Sequence, residues 1–514
     1  MRIRHIKLAV FSLLIGYNAA LADSEPASSH TTESKWSYRL CDFHQHTAFS
    51  DGRQSLYFDF EKCDSTGLAW WANSEHGGPS GFNGLLSGDD LNKWIKWTKE
   101  ELKGDMDPQD PDTIVMWRWQ TLKDYTFPEI IKLRKKYPER TLLQGLEWNV
   151  PGHEHASMSI LTGQFDGTPH CNPLSEFEYK FDSRDRDIQG GEQQGWKKSS
   201  KEGHEKALEA IMWLKENYPY SSWVIPAHPD RKNRWTIADF RDMNNIAPEI
   251  CFGFEVIPGH QASPDRGEYA PRNNTYGTYT YGGAGLMVAK VGGLWDALLS
   301  EGRKWWIFNC SDFHNLSHDF LPGVYNKTYL YMPEKIQPDD IVDYLRSGNC
   351  FIVGGDFVNN LKFEIEGKKM GETCYSYNDK IEITIEVSQP SDTKLKLDHI
   401  DLIEGVVSGF CQPNTESYNT DSVSTTKVVR RFDNLKADKN GVYSIRAMIS
   451  PSSANTYYRL RGTHHSVNTP GETDADGNPL PDSGTNTREK ALNDQWFYSN
   501  PIFVENIKSL DPLL

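Results

Sequence analysis

The sequence predicts an α/β protein: a barrel of alternating strands and helices over residues 38–356, then an all-β domain over residues 357–514. Two observations carry that prediction. Residues of metal-ligand type recur after short apolar runs as far as His314, and in an α/β barrel the C-terminal ends of the strands converge on one rim. From Asn360 the pattern changes to short alternating runs, among them Ile381–Val387, His399–Glu404, Val442–Ile449 and Tyr457–Arg461. A period of two with turn residues between the runs argues a β-sandwich.

The chain opens with Arg2, Arg4 and Lys7 ahead of the apolar run Leu8–Ile15, and Ala20-Leu21-Ala22 offers a small-x-small cleavage site before Asp23. Residues 1–22 therefore read as a secretory signal, with a secreted or periplasmic destination. The run is too short to span a bilayer and no other candidate span follows. Residues 23–37, rich in Ser, Thr and Glu, read as a flexible lead-in. The formal net charge is −16, and it becomes more negative when the signal is removed. Such a balance repels nucleic acid unless a basic groove compensates, and no long basic run is present, so no nucleic-acid partner is expected. The 8 cysteines are few for 514 residues and show no staple-like spacing or CxxC, so no pairing is assigned. Cys41, Cys251 and Cys310 fall on expected strands and read as buried thiols.

Within the barrel segment the richest stretch is Leu40-Cys-Asp-Phe-His-Gln-His-Thr-Ala-Phe-Ser-Asp-Gly52. It begins as a strand, so Asp42, His44 and His46 share a face. Imidazole with carboxylate suits zinc, manganese or iron, and Asp42 is placed to hold the second nitrogen of an imidazole. An isolated His-x-His is ordinarily a surface pair, but this one is not isolated. His76 ends Gly-Leu-Ala-Trp-Trp-Ala-Asn-Ser-Glu-His; Glu147 ends Thr-Leu-Leu-Gln-Gly-Leu-Glu, with His153 and His155 close behind. His228 follows Ser-Trp-Val-Ile-Pro-Ala, Glu255 lies in Gly-Phe-Glu-Val-Ile, and Asp312 and His314 follow Lys-Trp-Trp-Ile-Phe-Asn-Cys-Ser.

Between these runs, Leu56–Ser65 is expected to be helical. Leu91, Trp94, Ile95 and Leu102 recur at helical spacing, so Trp94 and Trp97 are expected to pack a helix against the barrel, the alternative being an aromatic wall over a substrate, in an insertion that also holds Trp117 and Trp119. The insertion Gly163–Gly203 has little periodicity and reads as a rim loop, either a lid or specificity element or an ordered but passive surface excursion. His204–Asn217 reads as an amphipathic helix and Leu294–Leu299 as a further helix, with the Tyr-, Gly- and Asn-rich loop Gly259–Gly285 between them. In the β domain, Asp474-Ala-Asp476-Gly-Asn478 begins like a calcium loop, but Thr485 stands where its closing glutamate belongs, so a plain polar loop is expected. His464-His465 is adjacent rather than alternating, a poor chelate, and reads as a surface pair.

Asp42-Phe-His44-Gln-His46-Thr with Ser50-Asp51-Gly, Ser-Glu-His76, Gly145-Leu-Glu147, Pro-Ala-His228-Pro and Ser311-Asp312-Phe-His314 resemble, in order and spacing, the motifs of the PHP (polymerase and histidinol phosphatase) family. The resemblance covers roughly residues 39–355. It departs at Glu75, where the family usually has Asp. It implies a distorted (β/α)7 TIM-like barrel holding two or three divalent ions, zinc ahead of manganese or iron. The ligands it implies are His44, His46, Asp51, His76, Glu147, His155, His228, Asp312 and His314. His44, His46 and Asp312 would bind one ion, with Glu147 bridging to a second held also by His155. His155 is preferred to His153 because it directly precedes the strand-like Ala-Ser-Met-Ser-Ile-Leu.

The implied activity is hydrolysis of a small-molecule phosphate ester by water activated at the metals, with no side-chain nucleophile. Arg231 would hold an anionic substrate and His260 would donate a proton to the leaving group. Two other readings stand beside it. One is hydrolysis of a carbamate, ester or amide at the same metals. The other is a non-catalytic protein whose β domain binds a glycan or a protein.

Overall fold

The structure, a computed structural model, describes residues 34–85, 94–257, 259–262, 279–482 and 488–507. The expected signal, most of the lead-in, and residues 263–278 of the Gly259–Gly285 loop lie outside the described residues.

The central strand is Trp36–Asp42, parallel to Trp70–His76 on one side and antiparallel to Asn326–Pro333 on the other. The sheet continues past Trp70–His76 through Thr141–Asn149, His155–Ile160 and Ser222–Pro226. In the other direction it passes from Asn326–Pro333 through Cys350–Gly354, Trp496–Ser499, Thr456–Thr463 and Ile502–Asn506 to Thr373–Ser376. His399–Val406 joins at Thr456–Thr463 and carries Lys427–Phe432. The steps from Trp36–Asp42 through Trp70–His76 to Thr141–Asn149 are parallel, as is the far pairing of Thr373–Ser376 with Ile502–Asn506; Thr141–Asn149, His155–Ile160 and Ser222–Pro226 pair antiparallel.

The result is a mixed α/β protein with one large mixed sheet. It differs from the expected closed barrel: no pairing among the described residues joins the two ends of the sheet. Gly253–Glu255 and Trp306–Phe308 pair parallel with each other as a separate two-stranded sheet. A single bridge between Gln45 and Phe313 adjoins this pair to the chain leaving the first strand.

The strands expected to form a β-sandwich are divided between two sheets. Asn360–Ile365, Ile381–Ser388 and Val442–Ile449 form an antiparallel sheet with Lys368–Lys369, and its inward residues Phe363, Ile383 and Ile385 share one apolar cluster with Leu402, Leu460, Phe497 and Val504 of the large sheet. The second layer is therefore the end of the large sheet itself. The described residues from Trp36 onward form one compact unit.

Helices sit where caps and spacing put them. Ser55 accepts from Phe58 N at 3.1 Å and starts Leu56–Ser65, which buries Leu56, Phe60 and Cys63. Thr236 and Asp239 form a capping box at the start of Ile237–Ile246. Gly203–Asn217 buries Ala207, Ala210, Ile211 and Leu214.

The two insertions depart from expectation. Residues 94–102 are not helical; Trp94 and Trp97 are buried, but on irregular chain. Residues 163–203 contain the helices Asn172–Phe181 and Gln189–Gln193, and Tyr179 and Trp196 pack against Trp117 and Trp119. The insertions thus bury each other's aromatic residues, which a period measured within either one does not register.

All 8 cysteines are free thiols, and Cys41, Cys251 and Cys310 are buried. In the calcium-like loop, Asp474 spends its carboxylate on the loop: Asp476 N and Asn478 N donate to Oδ1 at 2.9 and 2.8 Å, and Asn478 Nδ2 to Oδ2 at 3.0 Å. His464 and His465 are half-buried rather than exposed, with His464 Nε2 donating to Asn493 O at 2.8 Å.

Candidate metal centre

Each ligand-type residue stands at or just beyond a strand. His76 ends Trp70–His76, Glu147 lies near the end of Thr141–Asn149, His155 opens His155–Ile160, and His228 follows Ser222–Pro226. Asp312 and His314 follow Trp306–Phe308, and Glu255 ends Gly253–Glu255. All nine residues singled out from the sequence fall into interlocking groups whose donor atoms lie within 4.8 Å of one another.

Glu147, fully buried, is the hub. Its Oε1 lies 3.2 Å from His44 Nε2, 3.0 Å from His155 Nδ1 and 2.9 Å from His228 Nε2. Its Oε2 lies 3.2 Å from His46 Nε2 and 2.9 Å from His76 Nδ1. Around it, His44 Nε2 and His46 Nε2 stand 3.1 Å apart, and Asp312 Oδ1 is 3.2 and 3.4 Å from them. A second group gathers on Asp51, whose oxygens lie 3.5 Å from His46 Nδ1, 3.3 Å from His76 Nε2 and 3.4 Å from His314 Nε2. His155 and His228 form a third group with the buried Glu154.

These spacings fit cations. Two donors on one zinc, each about 2.0–2.1 Å from it at a tetrahedral angle, stand roughly 3.3 Å apart. The contacts among His44, His46, Glu147 and Asp312 run from 3.1 to 3.4 Å. Buried polar atoms are ordinarily hydrogen-bonded, yet Glu147 Oε2, both Asp312 oxygens and Nδ1 of His46, His76 and His155 make no hydrogen bond.

Charge points the same way. Burial pushes the His76 imidazole down to about 4, and burial together with the Arg231 guanidinium pushes His228 down to about 3, so both rings are neutral donors near pH 7. Burial opposes ionisation of Glu147 as well, but the His76, His155 and His44 rings outweigh it and hold the carboxyl well below its ordinary range. For Asp312 burial is likewise overridden by His44 and His314.

The backbone is shaped to present these groups. His228 and Asp312 adopt φ of 33° and 47°, a region ordinary side chains seldom occupy. At Gly52, a Cβ would meet His46 O at 2.4 Å, so the turn that brings Asp51 back over His46 requires a glycine.

Some supporting roles differ from expectation. Asp42 does not hold an imidazole: its Oδ1 accepts from His44 N at 3.0 Å and its Oδ2 from Ser311 N at 2.9 Å, tying the two ligand-bearing segments together. The imidazole is held by Glu255, whose oxygens lie 2.9 and 3.0 Å from His44 Nδ1, with Ser157 Oγ donating to Oε1 at 2.8 Å. Glu255 stands at a strand end like the ligands, so the signal was present, but a supporting carboxylate and a coordinating one look alike in sequence. Glu75 is no ligand here; it accepts from Thr47, Ser50 and Asn73 and braces the turn before Asp51.

His153 turns away from the centre that takes His155, and its ring stacks on Trp235. Arg231 lies 3.3 Å from His228 Nε2 and 3.8 Å from Glu154. His260 is buried 5.0 Å, ring to ring, from His314, and its Nδ1 is 2.5 Å from Asp319 Oδ1. Asp319, which sequence reasoning missed, also accepts from His314 N at 2.7 Å through Oδ2.

No protein-family model matches the chain, and no curated protein matches its sequence. Among solved structures, it is similar to a two-domain protein from Bacteroides vulgatus described as containing a predicted PHP-like metal-dependent phosphoesterase. The match is 12% identical and covers 88% of this chain and 99% of that one. Its TM-score of 0.33 is too low to establish a shared fold.

Proposed function

We propose that the protein is an exported metal-dependent phosphoesterase of PHP type, with its catalytic residues in 38–356 and the β segment 357–514 supporting them. The observation that carries this reading is the set of buried imidazole and carboxylate atoms around Glu147, spaced as zinc ligands are spaced and lacking other partners. His44, His46, Glu147 and Asp312 would hold one ion; His155 and His228 would share Glu147 with a second; Asp51, His76 and His314 would serve a third. Ions held there supply a lowered pKa for water, from about 15.7 to near 7, and polarise the electrophile.

The chain's own residues do the rest. Glu255 fixes the His44 ring so that Nε2 faces the ligand set. Arg231 offers a guanidinium beside His228 to an anionic ester. His260, oriented by Asp319, stands beside His314 to deliver a proton to the leaving oxygen. No helix among the described residues is long and apolar enough to cross a membrane.

The test is turnover of a panel of phosphate mono- and diesters by the purified protein, with and without chelator. Chelator-sensitive turnover of an ester is the expected result; turnover of an aryl carbamate without any phosphatase activity would transfer the reading to a carbonyl substrate.

A further inference from the structure

A second pair of imidazoles lies outside this centre and is not used by the reaction above. The His153 ring stacks on Trp235, with centroids 4.4 Å apart and planes 9° from parallel. Its Nδ1–H donates to Arg234 O at 3.0 Å, which leaves Nε2 with a lone pair. That lone pair points at His204 Nδ1, 2.9 Å away. The other nitrogen of His204, Nε2, lies 3.3 Å from Asp242 Oδ2, and Asp242 is itself held by the Tyr418 hydroxyl, which donates to Oδ1 at 2.6 Å.

With each outer nitrogen facing an acceptor, the two inner nitrogens present lone pairs to each other. Such a contact repels unless a proton or a cation lies within it. An imidazole whose far nitrogen donates to a carbonyl or carboxylate is the arrangement that orients metal-ligating histidines.

A third donor completes the group. Asp239 Oδ2 is occupied by Thr236 N and Oγ1, both at 2.7 Å, while Oδ1 lies 3.6 Å from His204 Nδ1. The donor atoms of His153, His204 and Asp239 all fall within 4.8 Å of one another.

We infer that His153, His204 and Asp239 bind one further transition-metal ion of the imidazole-preferring kind, zinc or copper(II), with water completing its coordination. The three ligands come from three segments: the turn before His155, the first turn of Gly203–Asn217 and the first turn of Ile237–Ile246. An ion there links the end of the second insertion to the chain that follows His228 and Arg231. The competing arrangement, a protonated His204 bridging His153 and Asp242, needs no metal.

The probe is zinc alone, added by equilibrium dialysis to the full protein and counted by elemental analysis. Wild type is expected to hold one equivalent more than His204→Ala, while Asp242→Asn retains the site with affinity about 10–100-fold weaker. Glu147→Gln, which removes the carboxylate shared by two of the hydrolytic ions, is expected to keep the extra equivalent, so the two metal readings fail separately. Equal zinc in wild type and His204→Ala up to about 100 µM free metal would overturn the inference. Should His204→Ala not fold, His153→Gln, changed at the partner ring 2.9 Å away, takes its place in the dialysis with the same two outcomes.

Discussion

Two regions of this molecule bury carboxylates equally deeply and treat them in opposite ways. Where the large sheet meets the segments behind it, Asp296 is gripped by Arg459 through Nε at 2.8 Å and Nη2 at 2.7 Å, with the Tyr457 hydroxyl donating at 3.0 Å. Asp401 takes Arg431 and Arg461, and Glu301 takes Arg241 at 2.6 Å and Arg303 at 2.9 Å. At the metal centre, Glu147 and Asp312 face only imidazoles and keep oxygens with no hydrogen bond. A buried charge persists only if something compensates it. In the first region guanidinium groups do so permanently; in the second no guanidinium does, and on the proposed function the task would fall to a cation.

The sharpest way to break this comparison is to remove one carboxylate from each region. Asp312→Ala is expected to lower kcat/KM on the best ester by about 10³-fold, or roughly 4 kcal/mol of transition-state stabilisation, with a denaturant midpoint in chelator close to wild type. Retained turnover would show that the cluster is not the reactive site. Asp296→Ala should do the reverse: about 3–5 kcal/mol less stable by denaturant unfolding, because Arg459 is left buried and alone, with metal content unchanged. Replacing both, Asp296→Leu with Arg459→Met, should recover most of that loss.

Smaller changes sharpen the contrast. Glu255→Gln removes the charge behind His44 but no ligand, so elemental analysis across a chelator series should show metal affinity down by about 10–100-fold with the fold intact. The mildest expected effect is that of Arg231→Ala, which should raise KM for an anionic ester about tenfold and leave a neutral carboxylic ester untouched; identical kcat/KM values on the anionic ester would exclude Arg231 from binding.

The candidate ligands were legible because chelation needs particular side chains at strand ends, and both signals are local. His44, His46, Glu147, His228 and Asp312 announce themselves this way, and the structure brings them together. What escaped was set by distant pairing. The ladder between Cys350–Gly354 and Trp496–Ser499 joins segments far apart in sequence, so nothing local predicts that the β strands extend the first sheet rather than build their own. Likewise Glu255 and Asp319 resemble ligands or surface acids until the partners His44 and His260 are known. Over residues 94–102 the expected helix is absent, and Trp97 and Leu102 pack with Phe49, Met116 and Tyr125 instead of lining a helical face.

The left-handed backbone at His228 and Asp312 sets a conflict between durability and chemistry. Glycine or asparagine would occupy those angles at lower conformational cost. Variants chosen only for surviving heat should therefore drift toward Asp312→Asn or His228→Gly, gaining robustness while discarding reactivity. Directed evolution for thermal tolerance without a turnover screen would dismantle this protein from its centre outward.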